Sequence, residues 1–303
     1  MGGAGSISES PRRAVLFRHE SPCLTRASDV QHSDMKRAIL LVAFGASSAQ
    51  GQSALKNFDA RVRARFPGLP VRWAYTSLLL RERLAKARQK SDSVLKALRR
   101  LGFEKFTEVA VQPLQTIPGR EHAEVCAAVD EVAAQEGLVC RVGASLLAEP
   151  EDVAQAALAL TRHLPPERAP GEDVVLMGHG ARHAAVARYG DLAQAVSALD
   201  PRVHVGTMNG AVVLEDILPR LTSKRVWLMP LLSVVGRHAL LDMAGEQAQS
   251  WRSRIEADGR QCVPVLKGTA EYAGFAEIWL RHLEDAARSF DAAVDGGTAG
   301  SET

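Results

Sequence analysis

Aromatic residues make up only 5% of the 303-residue chain, and no run of 18 or more apolar residues occurs, so nothing in it reads as a membrane-spanning helix. Cysteine is sparse as well. Cys23, Cys126, Cys140 and Cys262 form no C-x-x-C pair, which argues against a disulfide scaffold or a thiolate zinc site and for a reducing, cytoplasmic setting. Neither sign of charge dominates: 37 Lys and Arg against 35 Asp and Glu leave +2, too little for a nucleic-acid footprint. The arginines still suit a small anionic ligand held locally. No G-x-G-x-x-G follows the first apolar run and no Walker loop is present, so no nucleotide is expected. The "GHG" at 178–180 echoes a nucleophile elbow but carries histidine where serine would stand.

What the chain does have is a regular alternation. Apolar runs at 37–47, 69–77, 106–115, 138–147, 173–180, 202–210, 224–232 and 260–268 are separated by amphipathic stretches at 52–65, 91–101, 121–135, 150–163, 183–199 and 240–257. Short apolar strands spaced by helices predict parallel sheets covered on both faces, an α/β fold. Residues 1–34 are rich in serine and arginine and lack the apolar core of a signal peptide. They read as a disordered extension, or as sequence ahead of a start at Met35. The expected organisation is 35–148 and 149–286 as two lobes, the second with a connecting helix, and 287–303 as a disordered tail of small polar residues.

The halves resemble each other. "VAVQPLQTIPGREHAE" (109–124) aligns with "VWLMPLLSVVGRHALL" (226–241) at a constant spacing of 117 residues, pairing Pro113 with Pro230, Gly119 with Gly236 and Arg120 with Arg237. Likewise "LVAFGAS" aligns with "VLMGHGA", pairing Phe44 with His179 and Gly45 with Gly180. Two similar lobes, each a parallel sheet flanked by helices, would face each other across a cleft, since ligands in such folds bind outside the carboxyl ends of strands.

The repeat sends three metal-ligand types to those ends: His179, His238 and, opposite His238, Glu121. Two imidazoles and a carboxylate suit cobalt, iron, nickel or zinc better than magnesium or calcium. Each has a plainer reading. His179 can simply bond a carbonyl at a strand end, and Glu121 can be an acid favoured at a helix start. Asp242 and Glu246, four and eight residues after His238, read either as its partners or as a solvated helix face. His183 reads as capping or solvated, and His122 and His204 as bystanders.

With these residues in hand, the chain from about Met35 to Leu283 resembles the anaerobic sirohydrochlorin cobaltochelatases of cobalamin biosynthesis, within the class II chelatases. The matching stretches are "AILLVAFGAS", "AYTS", "VQPLQTIPGRE", "LMGHGARH", "LMPLLSVVGRHALLDMAGE", "SWRSRIEADG" and "VLKG". The resemblance implies His179, His238 and Glu121 as metal-binding and catalytic residues, with Co²⁺ as the ion inserted and Fe²⁺ as the alternative. It implies sirohydrochlorin as the small-molecule partner, with Phe44, Gly45, Ala46 and Ser47 along the macrocycle and Arg120 and Arg237 at its carboxylates. A homo-oligomer stays open. The rival readings are a sirohydrochlorin ferrochelatase for sirohaem or haem and a non-catalytic tetrapyrrole or metal carrier. Two departures stand out: Asn209 replaces a glutamate in "GTMNG", and Arg237 stands where an aspartate commonly precedes the second histidine.

Overall fold

The computed structural model describes residues 35–182 and 184–295. The extension 1–34, His183 and residues 296–303 lie outside it. Eight strands and nine helices alternate along the described chain: β1 (Arg37–Ala43), α1 (Ala49–Arg65), β2 (Val71–Tyr75), α2 (Leu78–Lys86), α3 (Val94–Phe103), β3 (Glu108–Pro113), α4 (Arg120–Glu136), β4 (Val139–Val142) and α5 (Pro150–Arg162) come first. Then follow β5 (Asp173–Gly180), α6 (Ala187–Leu199), β6 (Val203–Asn209), α7 (Leu214–Ile217), β7 (Arg225–Leu231), α8 (Trp251–Ala257), β8 (Gln261–Pro264) and α9 (Ala273–Asp295).

The strands form two all-parallel sheets of four, ordered β2-β1-β3-β4 and β6-β5-β7-β8. The second repeats the first, down to its register. Val42 lies opposite Pro113 in one sheet and Met177 opposite Pro230 in the other. The residues that align in sequence thus occupy equivalent rungs.

Burial on both faces explains the unbroken apolar runs. Along β1, Ile39, Leu41 and Ala43 enter one core cluster while Ala38, Leu40 and Val42 enter another. Along β5, Val174 and Leu176 join that same first cluster, and Val175 and Met177 a third. One core is therefore shared by both sheets, and each sheet has a second core on its outer face. Helix starts are marked by serine caps: Ser48, Ser77, Ser93 and Ser250 each accept a backbone N–H from three residues on.

The structure departs from the sequence reading in three places. The expected helix 240–257 is broken: a π-helical turn spans His238–Met243, and α8 starts only at Trp251, after the Ser250 cap. The expected tail from 287 is helical as far as Asp295. Phe290, only 3% exposed, explains this, with the guanidinium groups of Arg37 and Arg141 lying 5.5 Å and 5.7 Å from its ring. A buried aromatic anchors the last turns against the first sheet, outweighing the small polar residues around it. Helix α2, beginning at the Ser77 cap, was not expected at all.

Candidate metal and tetrapyrrole site

His179 is the penultimate residue of β5, between two glycines that packing requires. A Cβ at Gly178 would meet the Tyr189 ring, and one at Gly180, whose φ is +76°, would collide with the Asn209 carbonyl. The imidazole is exposed. Its Nδ1 lies 3.1 Å from the Gly180 carbonyl, which can only accept, so Nδ1 carries the proton and Nε2 keeps its lone pair. The plain reading of a strand-end histidine bonding a carbonyl is thus correct for one nitrogen and leaves the other free for a metal.

His238 opens the π-helical turn seven residues beyond Leu231, the end of β7. Its Nδ1 lies 2.5 Å from Asp242 Oδ2 and donates to it, again freeing Nε2. The wider turn, closed by Ala244 N–H donating to Ala239 C=O at 3.2 Å, brings Asp242 beneath the imidazole. Glu246 lies beyond the turn and is exposed. The two imidazole rings stand 5.1 Å apart, at 72° to each other.

Glu121 enters from the first sheet, in the opening turn of α4, whose Gly119 cap offers no side chain. Burial pushes its carboxyl above the usual range, opposed first by His179 and, more weakly, by His238. Among the described residues, no three His, Cys, Asp or Glu side chains come together closely enough to hold a metal ion, so the two imidazoles stand as a pair.

Two contacts hold the sheet edges together here. Tyr189 of α6 is buried, its hydroxyl set against the His179 and Gly180 backbone and the Thr116 side chain, which belongs to the first half. Burial raises that hydroxyl to about 12, so it stays protonated. The Ser48 hydroxyl donates to the Val235 carbonyl at 2.8 Å. Sequence reasoning missed Tyr189 and Thr116, because nothing local marks a contact that forms only across the two halves.

The remaining expected residues divide. Phe44 is 48% exposed and Ser47 is exposed, but Gly45 lies buried under Leu80, and Ala46 is a core residue at 4% exposure. Those two shape the turn rather than presenting side chains. Arg120 is exposed and paired with Glu124 of its own helix at 3.0 Å. Arg237 is exposed with no ion pair among the described residues. His204 sits near the start of β6, at the opposite end of the sheet, 3.3 Å from Asp173.

The cobalt chelatase (CbiK) family model matches residues 37–288. The chain belongs to the CbiK cobalt chelatase family. Within it, the chain is 55% identical over 266 residues to the sirohydrochlorin cobaltochelatase CbiKC of Nitratidesulfovibrio vulgaris, covering 86% of this chain and 94% of that one. It is 33% identical to the sirohydrochlorin cobaltochelatase of Salmonella typhimurium, over 83% and 97% of the two chains. In fold it matches SirB from Bacillus subtilis with Fe³⁺, with a TM-score of 0.59 at 17% identity over 85% of this chain and 98% of that one.

Proposed function

We propose that this CbiK-family protein is a sirohydrochlorin cobaltochelatase: it inserts Co²⁺ into sirohydrochlorin without a nucleotide, releasing two protons, as a step toward cobalamin. The carrying observation is the pair of adjacent imidazoles, each with Nδ1 tied down and Nε2 free, with the half-buried Glu121 carboxylate in the first turn of α4. His179, His238 and Glu121 hold the incoming ion. As it passes to the macrocycle, the same groups are freed to take the pyrrole protons. A carboxylate whose proton affinity is raised by burial and a neutral imidazole both suit that role. Phe44, Leu240 and Leu241, all at least 38% exposed on these same edges, offer apolar surface to the ring, and Arg237 a cation to its carboxylates.

Among the described residues no helix is long and apolar enough to cross a membrane, and Cys126, Cys140 and Cys262 are free thiols, which supports a cytoplasmic setting. The test is metallation followed by absorbance, with Co²⁺ and Fe²⁺ in parallel. The wild type accelerates cobalt insertion over the uncatalysed control and favours Co²⁺; His179→Ala and His238→Ala abolish turnover with the fold intact by circular dichroism. Near wild-type turnover in either variant would overturn the ligand assignment. A spectral shift on binding without turnover would make the protein a carrier.

A further inference from the structure

Beside the histidines lies a concavity that the metal chemistry does not use. It has a volume of about 510 Å³ and is lined by Ala181, Arg182, Val186, Asn209, Gly210 and Ala211, within the size range of small-molecule sites. Its walls are set by the fold. β5 and β6 stay paired up to Gly180 opposite Asn209, so the chain leaves both strands at one level and splays around the opening. The far wall is held by Thr207, whose backbone N–H and hydroxyl both donate to the Val212 carbonyl, at 2.9 Å and 3.1 Å. The opening begins two residues past His179.

The polar groups at this opening are donors without acceptors. Arg182 is exposed and, among the described residues, has no ion pair or side-chain hydrogen bond, whereas nearby Arg188 pairs with Asp191 at 3.3 Å. The Asn209 amide is exposed and, among the described residues, likewise has no side-chain hydrogen bond. Among the described residues, none that lines the cavity is acidic. A glutamate at 209, as the resembling family often has, would place an anion within the same walls and compete with a ligand for Arg182. The amide supplies N–H donors in its place.

We infer that this cavity is a carboxylate subsite, in which the Arg182 guanidinium and the Asn209 amide hold an anionic side arm of the tetrapyrrole while its ring lies toward His179 and His238. A guanidinium fork matches a carboxylate in two-point fashion, and an amide N–H adds a third donor. The inference rests on the chelatase reading above. It adds that ring orientation, and selection for polycarboxylate rings over neutral ones, are set at the ends of β5 and β6.

The test titrates sirohydrochlorin, and separately a porphyrin with methyl-esterified carboxylates in detergent, against wild type, Arg182→Ala, Arg182→Lys and Asn209→Glu. Cobalt metallation is measured on the same preparations. Arg182→Ala and Asn209→Glu are expected to weaken sirohydrochlorin binding and raise its KM on the order of 10- to 100-fold, the scale of a charge-assisted contact. They should affect kcat and the KM for Co²⁺ far less and flatten the salt dependence of binding. Arg182→Lys should recover part of the loss, and the ester should bind all four proteins alike. Unchanged sirohydrochlorin affinity in both variants, or an equal loss with the ester, overturns the subsite. A wild type that metallates normally beside such unchanged titrations leaves the chelatase reading standing. One that binds sirohydrochlorin but never metallates it removes that reading, while the titrations still decide the subsite.

Discussion

Asp242 fixes which nitrogen of His238 can meet a metal, because an ionised carboxylate only accepts and so holds the proton on Nδ1. Asp242→Asn should therefore lower cobalt affinity and turnover roughly 10- to 100-fold, the usual cost of losing a carboxylate behind a ligand histidine. Tetrapyrrole titration should be unchanged. An unaltered KM for Co²⁺ would reduce the pair to an ordinary i,i+4 contact. Glu121 differs in kind, since the proposed function has it meet the dication itself. Glu121→Gln keeps the shape and removes the charge, so metallation should slow roughly 30- to 150-fold, on the order of 2–3 kcal/mol of transition-state stabilisation, while sirohydrochlorin still binds. Steady-state metallation and a separate titration distinguish the two effects. An unchanged rate would return Glu121 to the role of a helix-start acid.

At the level of elements, much of the architecture is legible because both faces of each strand are buried. Each of the eight apolar runs contains a strand, and the spacing of 117 residues reappears as matched register at Pro113 and Pro230. What escaped the pattern is what tertiary contacts decide. Nothing in "HALLDMAGE" distinguishes a π-helical turn from an α-helix; the wider turn forms where Ala239 and Met243 bury in the outer core while His238 and Asp242 stay at the surface. Helix α9 likewise outruns its polar-looking sequence because it crosses back to the first sheet, where Phe290 finds its pocket. Phe290→Ala should thus destabilise the protein by about 3–5 kcal/mol in urea unfolding, the range for deleting a buried ring. Turnover per folded molecule should hold. A loss below about 1 kcal/mol would mean that the end of α9 is held by Arg37 and its partners instead.

Across the whole molecule, the proposed site and a buried polar cluster lie at opposite ends of the second sheet. His179 and the Arg182 cavity lie where the strands end, whereas Asp173, fully buried, lies where β5 begins. Its carboxylate accepts the backbone N–H groups of Thr222 and Ser223, both at 2.7 Å, and faces His204 at 3.3 Å. Burial alone would raise the Asp173 pKa; those donors outweigh it and hold the group below the usual carboxylate range. Burial also lowers His204, with Asp173 pulling the other way, so the imidazole is neutral and donates from Nε2. Both folded values lie below the unfolded ones. The unfolded chain therefore takes up protons first on acidification, and stability falls with pH: below about 6.5 through His204, then below about 4 through Asp173. Above those values the Asp173 contribution is present in full. Asp173→Asn leaves an amide among donors that need an acceptor, so at pH 7 it should cost about 1–3 kcal/mol. Its stability should then fall less steeply than the wild type's below pH 4, while cobalt metallation by the folded protein at neutral pH stays within about twofold. Urea unfolding at a series of pH values reads the slope. A variant as steep as the wild type below pH 4 would assign the acid sensitivity to other carboxylates, with the Asp152–His282 pair, 2.9 Å apart between α5 and α9, as the next to replace.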